Sequence, residues 1–441
     1  MTTGSPSDSR PDQSQVSQTS SLSIMLVAGE ASGDRHGAML ARALLKLSPG
    51  VAVDLFGSGG DEMRAAGVDT LVDARDVAII GIPEIARALG KLYSAYRKLL
   101  EAARTRRPHV VVLIDWPDFN IRLARKLHRA GFKIVYYISP QVWAWRRYRV
   151  RALRRYVDKM LVILPFEEEF FRDSGVEVEY VGYPLAEAVI ADASREEFTS
   201  KLGLDPTRPI IALLPGSRHK EVHYHLPAML DAASRLKTLP LQIADCGLRR
   251  SETTVNDQSL QSAIRNPQSA IEGSANRNPQ FVVPVASTIN REQVDAIVKD
   301  TGMSGTPDLV VVERDTYNSL RHSRIAVVAS GTATVEAALL GTPMVIVYRG
   351  SELNWRLIRP LIKLDTFGMV NLIAGRLVVP ELMQHEVTGE RIACEVAGIL
   401  GDPQRLAQIE RDLAIVRDRL ASRGGSASER AASAIMQLVG I

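Results

Sequence analysis

The sequence predicts an α/β protein made of two Rossmann-like domains facing a central cleft. Three observations predict it. Short apolar runs alternate with helical stretches from Leu22 onward, the mark of parallel α/β architecture. The rhythm breaks near Val181-Gly-Tyr-Pro-Leu185, where Gly and Pro interrupt it as a hinge would, and a second set of runs then begins. Polar turns follow several of these runs directly, and ligands of open α/β sheets bind outside the carboxyl ends of the strands.

The elements follow in order. Residues 1–22 are rich in Ser, Gln, Asp and Thr and lack an apolar signal core, which predicts a disordered tail. Strands are expected at Ile24–Ala28, Val51–Phe56, Val110–Ile114, Ile134–Ile138 and Met160–Leu164, within a first domain spanning 23–184. Helical periodicity is clear in Ala38–Leu45 and Ile121–Ala130. A second domain, 185–415, carries strands at Ile210–Leu214, Phe281–Val285, Leu309–Val312, Ile325–Ala329 and Met344–Val347. The polar stretch Ser251–Gln280 contains a near repeat and reads as a disordered surface insertion. Pro403–Leu420 reads as an amphipathic surface helix, with a C-terminal helix assigned to 416–441.

Composition is that of an ordinary globular protein, with 441 residues, 46% hydrophobic and 24% charged. The formal net charge of +4 does not demand a nucleic-acid partner. Cys246 and Cys394 make neither a disulfide framework nor a Cys-rich zinc site, so a reducing, cytoplasmic setting is expected. No apolar stretch approaches the ~20 residues that span a bilayer.

Chemistry concentrates in a few segments. Asp115 ends the run His109-Val-Val-Val-Leu-Ile-Asp115, so it stands where a general base would meet a ligand, although Asp also suits a turn or helix cap. Asp118 is the rival carboxylate. Ala28-Gly-Glu-Ala-Ser-Gly-Asp34 is a glycine-bearing turn into a helix. Its Glu30 and Asp34 would repel a phosphate, and they suit sugar hydroxyls better. In the second half, Gly216-Ser217-Arg218 offers backbone donors plus a guanidinium for a pyrophosphate. Ser330-Gly331-Thr332 opens a helix on small residues, an anion site, with Glu336 about one turn in and able to grip a ribose diol. The stretch Trp143–Arg155 mixes aromatics with arginines and suits nucleic acid, an anionic membrane or a phosphorylated ligand. Near-neutral net charge and the lack of a nucleic-acid module argue against the first. Ile82–Leu100 is amphipathic with a basic polar side and suits either a membrane interface or a crossover helix. No ligand pair for a metal occupies a suitable position, so neither metal nor cofactor is expected.

Taken together these segments resemble the lipid-A-disaccharide synthases, glycosyltransferases of the GT-B type. The resemblance runs through Ala28–Asp34, Gly81-Ile-Pro-Glu84, Ile114–Asn120, Ser139–Trp145, Leu164-Pro-Phe-Glu167, Leu214–Arg218, Ser330–Glu336 and Asn371-Leu-Ile-Ala-Gly375. It implies transfer from UDP-2,3-diacylglucosamine to 2,3-diacylglucosamine 1-phosphate with inversion and release of UDP. A UDP-sugar epimerase, or a transferase with a soluble acceptor, is the alternative within the same fold. The resemblance casts Asp115 as base toward the acceptor 6-hydroxyl and Glu30 as a second catalytic residue. On the acceptor side it places Ser32, Asp34, Asp118, Asn120, Trp143 and Arg147. For the donor it implies Gly216, Ser217, Arg218, Ser330, Gly331, Thr332, Glu336 and Asn371. It further implies a cytoplasmic enzyme peripheral to the inner membrane, and admits a homodimer. Tyr183 stands where the family commonly has histidine.

Overall fold

The computed structural model describes residues 21–77, 85–144, 147–238, 278–286, 288–303, 305–352, 355–356, 366–421 and 425–440. The first sheet holds β1 (Ser21–Val27), β2 (Ala52–Gly59), β3 (Asp69–Asp73), β4 (Val110–Ile114), β5 (Ile134–Tyr137), β6 (Lys159–Val162) and β7 (Val178–Tyr180), in the order β3-β2-β1-β4-β5-β6-β7. The second holds β8 (Ile210–Leu214), β9 (Gln280–Val285), β10 (Leu309–Glu313), β11 (Ile325–Ala329), β12 (Met344–Tyr348) and β13 (Glu381–Met383), in the order β10-β9-β8-β11-β12-β13. Pairing is parallel, with Ile24 opposite Val110 in the first sheet and Ile325 opposite Ile211 in the second. Burial on both faces explains the uninterrupted apolar runs, since β4, β8 and β11 are buried throughout. Strand order reverses between β1 and β4, and again between β8 and β11. Those two switch points are where crevices form at the strand ends.

The ten expected strands are all present, within a few residues of their expected bounds. Among the described residues three more occur, β3, β7 and β13, each at a sheet edge. Two boundaries need correction. Ser21 and Leu22 belong to β1 rather than to the tail, and Leu22 is fully buried. Gln280 opens β9 and is buried, so the expected 251–280 insertion ends before it. Residues 1–20, Gly81–Glu84, Trp145 with Arg146, and 251–277 lie outside the described residues.

The helix Ile85–Arg106 is the crossover between β3 and β4, and its Ala95, Leu99 and Ala103 are spent on the sheet. Its apolar stripe is therefore core, and of the two readings of this segment the structure shows the crossover helix. The helix Pro403–Leu420 has the expected bounds, so the expected domain edge at 415/416 falls inside it. The next helix, Ala427–Val439, returns to pack against Ala31–Leu47 of the first domain. Cys394 is buried in the helix Gly389–Leu400, while Cys246 lies outside the described residues.

Candidate active site

At the first switch point the backbone does something unusual. Asp115 and Trp116, directly after β4, both take left-handed conformations, with φ of 47° and 49°. Such strain in non-glycine residues persists only where the surroundings over-determine it. Here they do. The Asp115 N–H donates to the Tyr137 carbonyl at 3.1 Å, while its own carbonyl accepts from the Tyr136 hydroxyl at 2.6 Å and from Asn120 Nδ2 at 2.8 Å. The Trp116 indole stacks on Phe119 with centroids 3.8 Å apart. It lies so close over Gly29 that a Cβ there would meet the ring at 2.1 Å. The glycine of the first turn is thus fixed by an aromatic neighbour rather than by a phosphate.

The Asp115 side chain is left for chemistry. Burial first, then the adjacent Glu30 charge, push its carboxyl up to about 6, against a small opposing hydrogen bond from the Trp116 N–H. At neutral pH it is still mostly ionised, as a base must be, but more basic than a solvated carboxylate. Glu30 is exposed at the N-terminus of Ala31–Leu47, as is Ser32 in its first turn. Asp118 is exposed and paired with Arg149, which satisfies its charge and makes it the poorer base. Arg147 is exposed, its guanidinium 5.8 Å from the Phe170 ring centroid.

Several expected contact residues are scaffold instead. Asp34 is buried, and its carboxylate accepts from the N–H groups of Gly60 (2.6 Å), Met63 (3.1 Å) and Glu62 (3.1 Å), capping the helix Asp61–Ala65. Three of its roughly four acceptor positions are thus taken by backbone. Asn120 is fully buried, and its amide also reaches the carbonyls of Val27 and Ile114, tying the ends of β1 and β4 together. Trp143 is buried too. Its Nε1–H donates to Glu167 Oε1 at 3.0 Å, beside the Ser139 hydroxyl at 2.6 Å. Glu167 ends the segment Leu164-Pro-Phe-Glu167, whose sequence alone assigns it no role. Burial pushes its carboxyl up to about 7, and it holds the loop after β5 in place.

The second switch point carries the donor-side candidates. Gly216 has φ +120°, and a Cβ on it would meet Glu221 Oε2 at 2.5 Å. That same oxygen accepts from the N–H groups of Ser217 (3.0 Å) and Arg218 (3.3 Å), while Oε1 meets Arg218 Nη1 at 3.2 Å. A carboxylate thus occupies the donors that the sequence assigned to an anion. The Arg218 side chain is itself largely exposed. Ser330 and Gly331 follow β11, and no side chain caps the helix Thr332–Leu339, whose first turn holds no acidic residue. Its N-terminal amides are suited to an anion. Asn371 is held within the second domain's framework. It is fully buried, donating to Val379 O and Glu381 Oε1 and accepting from the N–H groups of Val378 and Val379.

Glu336 joins the two halves. Burial raises its pKa, opposed by the Arg35 charge and by a hydrogen bond from Tyr317. Arg35 belongs to the first domain and Glu336 to the second, so the two switch points face each other across one cleft. Tyr183, in the hinge segment, is buried with Glu336, Tyr317 and Arg35 around it. Among the described residues there is no group of three or more His, Cys, Asp or Glu placed to hold a metal ion.

Two facing parallel-sheet α/β domains, each with a switch point at its strand ends, define the GT-B class. Solved structures share this fold at low identity. A glycosyltransferase from Rickettsia africae ESF-5 superposes with a TM-score of 0.55 at 12% identity, covering 96% of this chain and 99% of its own. A UDP-GlcNAc 2-epimerase from Neisseria meningitidis bound to UDP-GlcNAc gives 0.54 at 10%, covering 95% and 99%. Sequence narrows the class. The lipid-A-disaccharide synthetase profile matches residues 24–244 and 243–437. Lipid-A-disaccharide synthases from Koribacter versatilis and Myxococcus xanthus are 45% and 41% identical over 419 residues, spanning 95% and 94% of this chain and 98% and 97% of theirs. The chain belongs to the lipid-A-disaccharide synthase family, and is an enzyme, a glycosyltransferase.

Proposed function

We propose that this chain joins UDP-2,3-diacylglucosamine to 2,3-diacylglucosamine 1-phosphate. The observation that carries the reading is Asp115, a strained, half-buried carboxylate with its pKa moved toward neutrality, opposite the donor-side turns. Asp115 takes the proton from the acceptor 6-hydroxyl as that oxygen bonds to C1 of the donor sugar. The C1–O bond to the β-phosphate breaks on the opposite face, and UDP leaves with the electron pair, inverting the anomeric centre. The exposed Arg218 guanidinium and the uncapped Ser330–Gly331–Thr332 helix start neutralise the departing pyrophosphate. Glu336 receives the ribose hydroxyls. Glu30 and Ser32 border the acceptor, and Glu30 also keeps Asp115 basic.

The acyl chains need an apolar reception and the acceptor phosphate a basic one. Exposed Tyr93 and Tyr148, with Arg97, Lys98 and Arg147 nearby in sequence, supply a basic-aromatic surface for an anionic membrane. No helix among the described residues is long and apolar enough to cross a membrane, so binding to the inner-membrane surface, from the cytoplasm, is the form proposed. A homodimer is compatible with this reading. The test is UDP release from the acylated donor in mixed micelles, with and without acceptor. Acceptor-dependent release supports the reading; UDP binding without such release removes the acceptor assignment.

A further inference from the structure

His225 lies in the helix His219–Thr238 and is 1% exposed, yet both ring nitrogens are engaged by backbone. Nδ1 sits 2.8 Å from the Pro215 carbonyl, which can only accept, so Nδ1 carries the proton. Nε2 then accepts, and it receives the Arg349 N–H at 2.8 Å. Only the neutral Nδ1–H tautomer makes both bonds. Pro215 directly follows β8 and Arg349 directly follows β12, the two strands that flank β11. One imidazole therefore links the chain just after β8 to the chain just after β12, across the sheet edge at which Ser330–Thr332 begin their helix.

The far anchor is itself held. The Gly350 N–H donates to Gln384 Oε1 at 2.6 Å, and Gln384 is buried. The near anchor leads straight into Gly216-Ser217-Arg218. We infer that His225 is a positioning residue for the donor site: it sets the height and angle of the Gly216–Arg218 turn relative to the Ser330–Thr332 helix start, so that both close on one pyrophosphate. It touches neither the sugar nor the phosphate. The inference rests on the proposed donor-site reading.

The experiment compares His225→Leu, His225→Gln and His225→Asn with Arg218→Ala, using the full chain and measuring KM for each substrate and kcat. Leu keeps volume but makes neither bond, so donor KM rises about tenfold while acceptor KM and kcat hold. Gln offers an amide N–H and a carbonyl at similar reach and restores donor KM; Asn, too short for both partners, gives an intermediate rise. If Leu prevents folding, an unchanged donor KM in the Asn variant overturns the inference. So does a fall in kcat with donor KM unmoved, the signature of a merely structural loss. A folded Leu variant with native donor KM, beside a raised donor KM in Arg218→Ala, overturns it alone. If neither variant moves donor KM, the donor-site reading itself fails.

Discussion

Asp115 is the residue on which the most can be tested. Replacing it with Asn keeps the shape and the backbone bonds but removes the base, and should cost ~10²–10⁴-fold in kcat. The sign of its pKa shift gives a second, opposite effect. Because the folded value is raised above the unfolded one, ionisation costs stability above pH 6, and that cost vanishes as pH falls toward the unfolded value near 4. Asp115→Asn should therefore melt no lower than the native protein at pH 7.5, and the native rate should fall about tenfold per pH unit below 6. An inactive variant that also melts well below the native protein would mean a structural Asp115. What the sequence makes legible is the place of Asp115, since an all-apolar strand ends there, although a turn or helix cap would account for the residue as well. That Asp34, Asn120, Trp143 and Asn371 are bonded into the framework was not legible, for the converse reason. Their motif identity is the same whether a side chain faces a ligand or holds the loop that does. Glu167, Arg35 and His225 escaped because their partners lie far along the chain or are backbone atoms, neither of which leaves a local pattern.

Among the elements, legibility followed burial. Ten strands buried enough apolar surface to announce themselves, whereas β3, β7 and β13 did not. Asp69-Thr-Leu-Val-Asp73, Val178-Glu-Tyr180 and Glu381-Leu-Met383 are short edge strands with one neighbour each, so their sequences need only half a hydrophobic pattern. The turn after β1 shows how element and residue separate. Asp34 gives three backbone N–H groups at the start of Asp61–Ala65 their acceptor, and so fixes the end of β2 beside the site. Asp34→Ala should lower unfolding free energy by about 2 kcal/mol, the loss of a cap with buried donors left unpaired. KM for the acceptor should stay close to native in the folded fraction. Urea titration and steady-state kinetics on one preparation check both. A large rise in acceptor KM with no loss of stability would return Asp34 to the sugar.

The whole molecule is closed by its own C-terminus. The helix Ala427–Val439 leaves the second domain and packs on Ala31–Leu47, burying Ala431, Ala432, Ile435 and Met436. Polar bonds tie the same helix down: Arg430 Nη2 donates to the Tyr180 carbonyl at 2.6 Å, and Lys133 Nζ to the Leu438 carbonyl at 2.7 Å. The Lys46–Glu429 pair is exposed and adds little. Burial decides the strength. Ile435 and Met436 alone contribute about 1.5–3 kcal/mol each, against a typical total of ~5–15 kcal/mol for a domain. Ending the chain at Ala421 should therefore expose the inner face of Ala31–Leu47, the helix that carries Glu30, Ser32 and Arg35 at its start. The first domain should then unfold at lower denaturant than the second, splitting the transition. The Arg35–Glu336 approach across the cleft depends on the same docking, so turnover should fall further than the binding of free UDP, which needs only second-domain groups. Denaturant unfolding followed by tryptophan fluorescence, with calorimetry of UDP binding alongside, separates these effects. Trp116 and Trp143 report the first domain directly. A truncated chain that unfolds in one unshifted transition and turns over normally would show that the returning helix is not what holds the two halves of the site together.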